Sequence, residues 1–168
     1  MGKLRNIILI TAVLGVLGSA IYTGLFSANP APGVTFTSLK GEQVATADLR
    51  GRVVLVNFWA TDCPTCIKEM PQMVRTYDRF KAQGFELIAV AMKHDPPNYV
   101  INYAEKNALP FKVALDPMGT LAKAFGDVKL TPTTIVIDKH GNIVTRILGE
   151  PDFAKLDALI EEKLAERA

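Results

Sequence analysis

Two cysteines stand three residues apart in Cys63-Pro64-Thr65-Cys66, and they are the only two in a chain of 168 residues. A pair this close can exchange disulfides, help hold a metal, or form a small structural bridge. Residue 67 is Ile, so the motif is not a haem attachment, which needs His there. A zinc or copper site would also need His94 or His140, and neither stands at a familiar ligand spacing. A bridge across two intervening residues closes a tiny loop and adds little stability through chain entropy. Disulfide exchange is therefore the leading reading, and thiol-based metal binding is the alternative.

Such chemistry needs the pair on a particular element. Val53–Phe58 is a nearly continuous apolar run, which suits a central strand buried on both faces. A helix is expected from about Pro64 to Gln83, stopped by Gly84, with Ile67, Met70, Val74 and Tyr77 at helical spacing. The thiols then fall where a strand ends and a helix begins. Pro64 suits the first helical turn, where its missing N–H has no partner. Free N–H groups and the helix dipole stabilise a thiolate at that end. Cys63 is thus the expected exposed nucleophile. Cys66, one turn in, is the expected buried resolving thiol.

The remaining pattern alternates. Val34–Phe36 and Glu42–Val44 read as a small hairpin around Lys40-Gly41. Strands are expected at Phe85–Met92, Phe111–Leu115, Thr133–Asp138 and Ile143–Leu148, the last two joined by a turn containing Gly141-Asn142. Helices are expected at Asn98–Asn107, Gly119–Phe125 and Asp152–Arg167. This order predicts an α/β three-layer sandwich, a central sheet with helices on both faces.

The formal charge is +2. Lys3 and Arg5 account for it, since without them the chain has 17 basic and 17 acidic residues. A domain with balanced charge argues against nucleic acid as a partner. Ile7–Phe26 contains no charged residue and is long enough, as a helix, to cross a bilayer core of about 30 Å. The chain thus reads as a basic cytoplasmic tip (1–6), a transmembrane anchor (7–26), a linker (27–33) and a domain (34–168) outside the membrane. A cleaved signal peptide, with small residues at Gly18-Ser19-Ala20, is the rival reading.

The stretch Val53–Pro71, VVLVNFWATDCPTCIKEMP, resembles thioredoxin-fold oxidoreductases, and more narrowly the membrane-anchored, extracytoplasmic TlpA/ResA-type group. Phe58-Trp59-Ala60 before the thiols, Pro71 eight residues past Cys63 and Thr131-Pro132-Thr133-Thr134 carry the resemblance, which runs from about Gly33 to the C-terminus. It implies a thioredoxin-like fold with a mixed sheet, and a central insertion from about Asp95 to Met118. It implies a cis bond before Pro132, leaving the Thr131 backbone free to pair with an extended client. It also implies that Glu69, one turn beyond Cys66, assists proton transfer. Trp59, as a lid beside the thiols or else as plain core, and Pro64, Thr65, Thr131 and Pro132 form the expected client-binding set.

The implied activity is extracytoplasmic disulfide reduction in client proteins, such as those of cytochrome c maturation or metal-site assembly. The implied electron donor is a membrane thiol transporter of the DsbD/CcdA kind. No cofactor is expected beyond the Cys63–Cys66 disulfide. The location is single-pass in the bacterial inner membrane, with the domain in the periplasm. Two departures matter. Asn57 stands where thioredoxin has a buried Asp, which shifts proton handling onto Glu69. Asp62 stands where many relatives have Trp, and a carboxylate there disfavours the Cys63 thiolate. Reductase character follows, because a strong oxidant needs a stabilised thiolate. A thiol peroxidase on the same fold is a weak third reading, since Ala60 occupies the place of its Thr.

Overall fold

A computed structural model describes residues 29–167. The basic tip and the expected anchor over 7–26 lie outside the described residues. Among the described residues, no helix is long and apolar enough to cross a membrane.

The chain runs β1 (Thr35–Thr37), β2 (Gln43–Ala45), β3 (Val53–Trp59), α1 (Pro64–Phe80), β4 (Phe85–Ala91), α2 (Pro97–Lys106), β5 (Lys112–Leu115), α3 (Thr120–Ala124), β6 (Thr133–Ile137), β7 (Ile143–Leu148) and α4 (Phe153–Ala165). Within the described residues the expected elements are all present, most with shifted ends. The long helix is α-helical only to Phe80 and finishes as a 3₁₀ turn over Lys81–Gln83, closed by Gly84 at φ 90°. That left-handed backbone is one that Gly adopts without steric cost. A 3₁₀ turn over Thr46–Leu49 has no counterpart in the sequence reading. The last helix begins after Asp152, whose carboxylate accepts from the Lys155 N–H.

β1 and β2 form a separate antiparallel hairpin. The main sheet has the order β5-β4-β3-β6-β7. β4 lies parallel to β3 and β5, whereas β6 is antiparallel to both β3 and β7, so the sheet is mixed. The C-terminal ends of β3, β4, β5 and β7 and the N-terminal start of β6 therefore meet at one edge. That edge carries the chain into Cys63 and out of Pro132.

β3 and β4 are buried along their whole length, which explains their continuous apolar runs. Alternate β3 residues point to opposite faces. Val53, Leu55 and Trp59 pack with Met70, Met73 and Phe80 of α1, Val100 of α2, and Leu156 and Ile160 of α4. Val54, Val56 and Phe58 pack on the other face with Phe36, Leu121 and Phe125. The layered sheet expected from the alternating pattern is thus formed. Residues 29–31 are held against the β6–β7 turn, where Ala31 N–H donates to the Gly141 carbonyl at 2.9 Å and Ile143 N–H to that of Asn29 at 2.7 Å. Part of the expected linker is therefore attached to the domain.

Phe125 contacts both Phe36 and Phe58, with ring centroids 6.1 and 5.7 Å apart. Truncation there leaves a cavity on the face opposite the thiols. Phe125→Ala is expected to lower the unfolding free energy by about 3–5 kcal/mol in chemical denaturation. A loss below about 1 kcal/mol would show that this face does not carry the packing assigned to it.

Candidate active site

Cys63 and Cys66 are joined as a disulfide, with Cα atoms 5.3 Å apart. Cys63 is the N-cap of α1 and Pro64 follows it inside the first turn. The Ile67 N–H donates to the Cys63 carbonyl at 3.1 Å, the first bond of the helix. The Cys66 N–H points to Cys63 Sγ at 3.2 Å. That donor, at the helix end and aimed at the sulfur, would stabilise a thiolate on Cys63 once the disulfide opens. Cys63 is half-buried, Pro64 and Thr65 are exposed, and Cys66 has no exposed surface. The two sulfurs therefore differ in access, as the sequence predicted.

Glu69 lies one turn beyond Cys66 on the same helix face and is only 1% exposed. Asn57 Nδ2 donates to Glu69 Oε1 at 3.1 Å and to Thr134 Oγ1 at 3.1 Å. Asn57 and Thr134 are direct partners across the β3–β6 ladder, so their side chains share a face. Removal from water raises the Glu69 carboxyl to about 7; the Asn57 donor pulls it down and the charge of Glu150 pushes it up. Glu150 is itself 2.7 Å from Lys68.

The Thr131–Pro132 peptide is cis. Thr131 is half-buried, Pro132 is buried, and the Pro132 carbonyl accepts from Gly149 N–H at 2.8 Å. This turn and the Cys63 turn lie at the same sheet edge, because Phe58 pairs with Thr133.

Trp59 corrects an expectation. Its side chain is fully buried and packs in the cluster that contains Cys66 and Met70, with its ring 5.3 Å from that of Tyr103. It lies beneath the thiols as core and cannot serve as a lid that touches a client. The cause is strand alternation, which sends Trp59 to the same face as Leu55.

Asp95 was missed as a site residue. It is 5% exposed, and its carboxylate accepts from both the Thr61 N–H and the Thr61 hydroxyl, each at 2.6 Å. It thereby anchors the turn leading into Cys63. Sequence offers little signal for this, since the partners are 34 residues apart. His94, next to Asp95, is exposed, and its Nε2 is 3.5 Å from the exposed Asp62 carboxylate, which adjoins Cys63 in sequence. His140 sits in the exposed β6–β7 turn.

A dithiol at a strand-to-helix junction, with a buried carboxyl behind it and a cis-proline turn across the sheet edge, defines a disulfide-exchanging protein of the thioredoxin fold. Comparison with known proteins agrees. The Redoxin family profile matches residues 26–160. The thiol-disulfide oxidoreductase ResA of Bacillus cereus is 32% identical over 167 residues, covering 95% of each chain. That of Geobacillus kaustophilus is 36% identical over 160 residues, covering 89% of this chain and 91% of the relative. Among solved structures, a thioredoxin-like protein from Neisseria meningitidis superposes with a TM-score of 0.76 at 38% identity, covering 82% of this chain and 91% of that one. A thioredoxin-family thiol:disulfide interchange protein from Chlorobium tepidum gives 0.75 at 29% identity, covering 82% and 97%. The chain belongs to the redoxin family and, within it, to the ResA-type thiol-disulfide oxidoreductases.

Two outcomes follow from this geometry. Glu69 binds its proton more tightly folded than unfolded, so between its ordinary value of 4.5 and about 7 rising pH removes stability. Across that window the wild type should lose on the order of 3 kcal/mol relative to Glu69→Gln, read from denaturation at several pH values. Parallel profiles for the two proteins would contradict the placement of this carboxyl. Asp95→Ala breaks two charge-assisted hydrogen bonds and should cost about 1.5–3 kcal/mol by the same method. A neutral result would mean that the turn before Cys63 holds itself.

Proposed function

We propose that the chain is a reductase of client-protein disulfides, tethered by its N-terminal apolar segment outside the bacterial inner membrane, with the domain in the periplasm. One observation carries the reductase reading: the accessible sulfur at the helix N-terminus is paired with a fully buried partner that has a carboxyl one turn away. Cys63 attacks a client disulfide; the Cys63–client bond forms as the client bond breaks, and the released client thiolate takes up a proton. Cys66 then gives its proton to the Glu69 carboxylate and attacks Cys63. The Cys63–Cys66 disulfide forms, the second client thiolate leaves, and two electrons have passed to the client.

The direction follows from charge. Asp62 beside Cys63 and Glu69 behind Cys66 both disfavour thiolates, so the reduced form is not stabilised and the pair gives electrons away. The pair itself carries the electrons, and no further cofactor is needed. An extended client segment pairs with the Thr131 backbone beside Pro132 and lies over Pro64 and Thr65. Relatives named ResA support the class of activity. Fitting clients are apocytochromes c or metal-site assembly proteins. An exposed dithiol outside the cytoplasm needs a supply of electrons, and a membrane thiol transporter of the DsbD/CcdA kind would provide it.

Cys66→Ser in the full chain should accumulate a covalent client complex that reductant releases, visible as a mobility shift on non-reducing gels. Cys63→Ser should lose turnover altogether. Full activity in Cys63→Ser, or no trapped complex in Cys66→Ser, would overturn the order of attack.

A further inference from the structure

The buried polar cluster behind the thiols holds more than one carboxyl. Both Nδ2 hydrogens of Asn57 are in use, one on Glu69 Oε1 and one on Thr134 Oγ1. Asn57 Oδ1 and Glu69 Oε2 are buried and accept nothing from the described residues. This pattern suits an ionised Glu69, which can only accept. A protonated Glu69 also carries a donor: on Oε1 it would face Nδ2, which cannot accept, and on Oε2 it has no hydrogen-bond partner among the described residues. A half-turn of the amide about its Cβ–Cγ bond puts Oδ1 where Nδ2 stands. Oδ1 has two lone pairs, one for the Glu69 hydroxyl and one for Thr134. Thr134 can follow either state, because its hydroxyl both donates and accepts.

We infer that Asn57 is a positioning residue for the proton-transfer step, its amide turning over with the protonation state of Glu69 while Thr134 serves as the partner common to both orientations. The hydrogen bonds among the three residues then persist whether the proton is on Glu69 or on Cys66, and the turned amide sets its N–H groups at the buried position where Oδ1 has no partner. An Asp at position 57 could not donate to an ionised Glu69, and an apolar residue would leave Glu69 unpartnered in either state. Asn57 is therefore more than a neutral replacement for an acidic group. The inference rests on the role given to Glu69 above.

Few other groups face this carboxyl. On α1 the neighbour is Cys66, one turn back, with Lys68 directed outward to Glu150. After β7, Glu150 acts on Glu69 through its charge and is already paired with Lys68. β3 and β6 contribute only Asn57 and Thr134, both uncharged. A change at Asn57 is thus read on Glu69 without a third titrating side chain from those strands.

The test is side-chain NMR of the reduced full chain across pH. The Glu69 carboxyl carbon and the Asn57 amide should titrate with one midpoint. Contacts from the Nδ2 hydrogens to Glu69 and Thr134 should be present above that midpoint and lost below it. In stopped-flow reduction of a model disulfide, Asn57→Leu should move the pH midpoint of the resolving step upward by about one pH unit, because a donor to the carboxylate is lost. In a Glu69→Gln background the same change should not move it. If Glu69 titrates near neutrality while the Nδ2 contacts persist on both sides of the midpoint, the inference is overturned and the role of Glu69 stands. If Glu69 does not titrate there, its role as proton acceptor fails first. The wild-type titration decides the matter even if Asn57→Leu does not fold.

Discussion

A carboxyl taken out of water behind a buried thiol is the constraint on which the rest of the site depends. Burial there disfavours the charged form, so without a donor Glu69 would hold its proton to still higher pH. One hydrogen bond from Asn57 offsets part of that cost and holds the group near neutrality. Under the proposed mechanism, such a carboxyl takes up the proton of Cys66. The helix N-terminus does the opposite work at Cys63, where the Cys66 N–H aimed at Sγ favours the charged sulfur. The two thiols are thus made unlike by two local fields: a donor-rich end for the attacking sulfur, and an acidic, dry flank for the resolving one.

The fold is arranged to hold these groups from several elements at once. β3 supplies Asn57, α1 supplies both cysteines and Glu69, β6 supplies Thr134, and the loop after β4 supplies Asp95. Burial of β3 on both faces keeps its position fixed in the sheet. The antiparallel entry of β6 matters as much. It places Thr134 opposite Asn57 and brings Thr131–Pro132 to the same edge as the thiols. A parallel β6 would have carried that turn to the far end.

What could be read from the sequence was what local pattern determines. The apolar run before the thiols gave a central strand, and the Cys-Pro step gave the helix start. The unequal access of Cys63 and Cys66 followed from their places in the first turn. The i, i+3 spacing put Glu69 near Cys66 but could not say how dry that face is, because β6 and the segment after β7 reach it from far along the chain. The same limit hid Thr134, which lies 77 residues from Asn57, and Asp95, whose partner is 34 residues away. Trp59 went wrong for a related reason. Its nearness to the thiols was legible, but which face of β3 it occupied depended on sheet alternation and on Tyr103 behind it.

The equilibrium reduction potential of the Cys63–Cys66 pair, measured against glutathione at neutral pH, tests most directly whether two acidic neighbours set its direction. A reductase of this kind should lie near the thioredoxin value, about −270 mV. A potential near that of a strong oxidant, about −120 mV, would mean that the helix N-terminus outweighs Asp62 and Glu69. Electron flow would then run the other way, from client thiols into this pair.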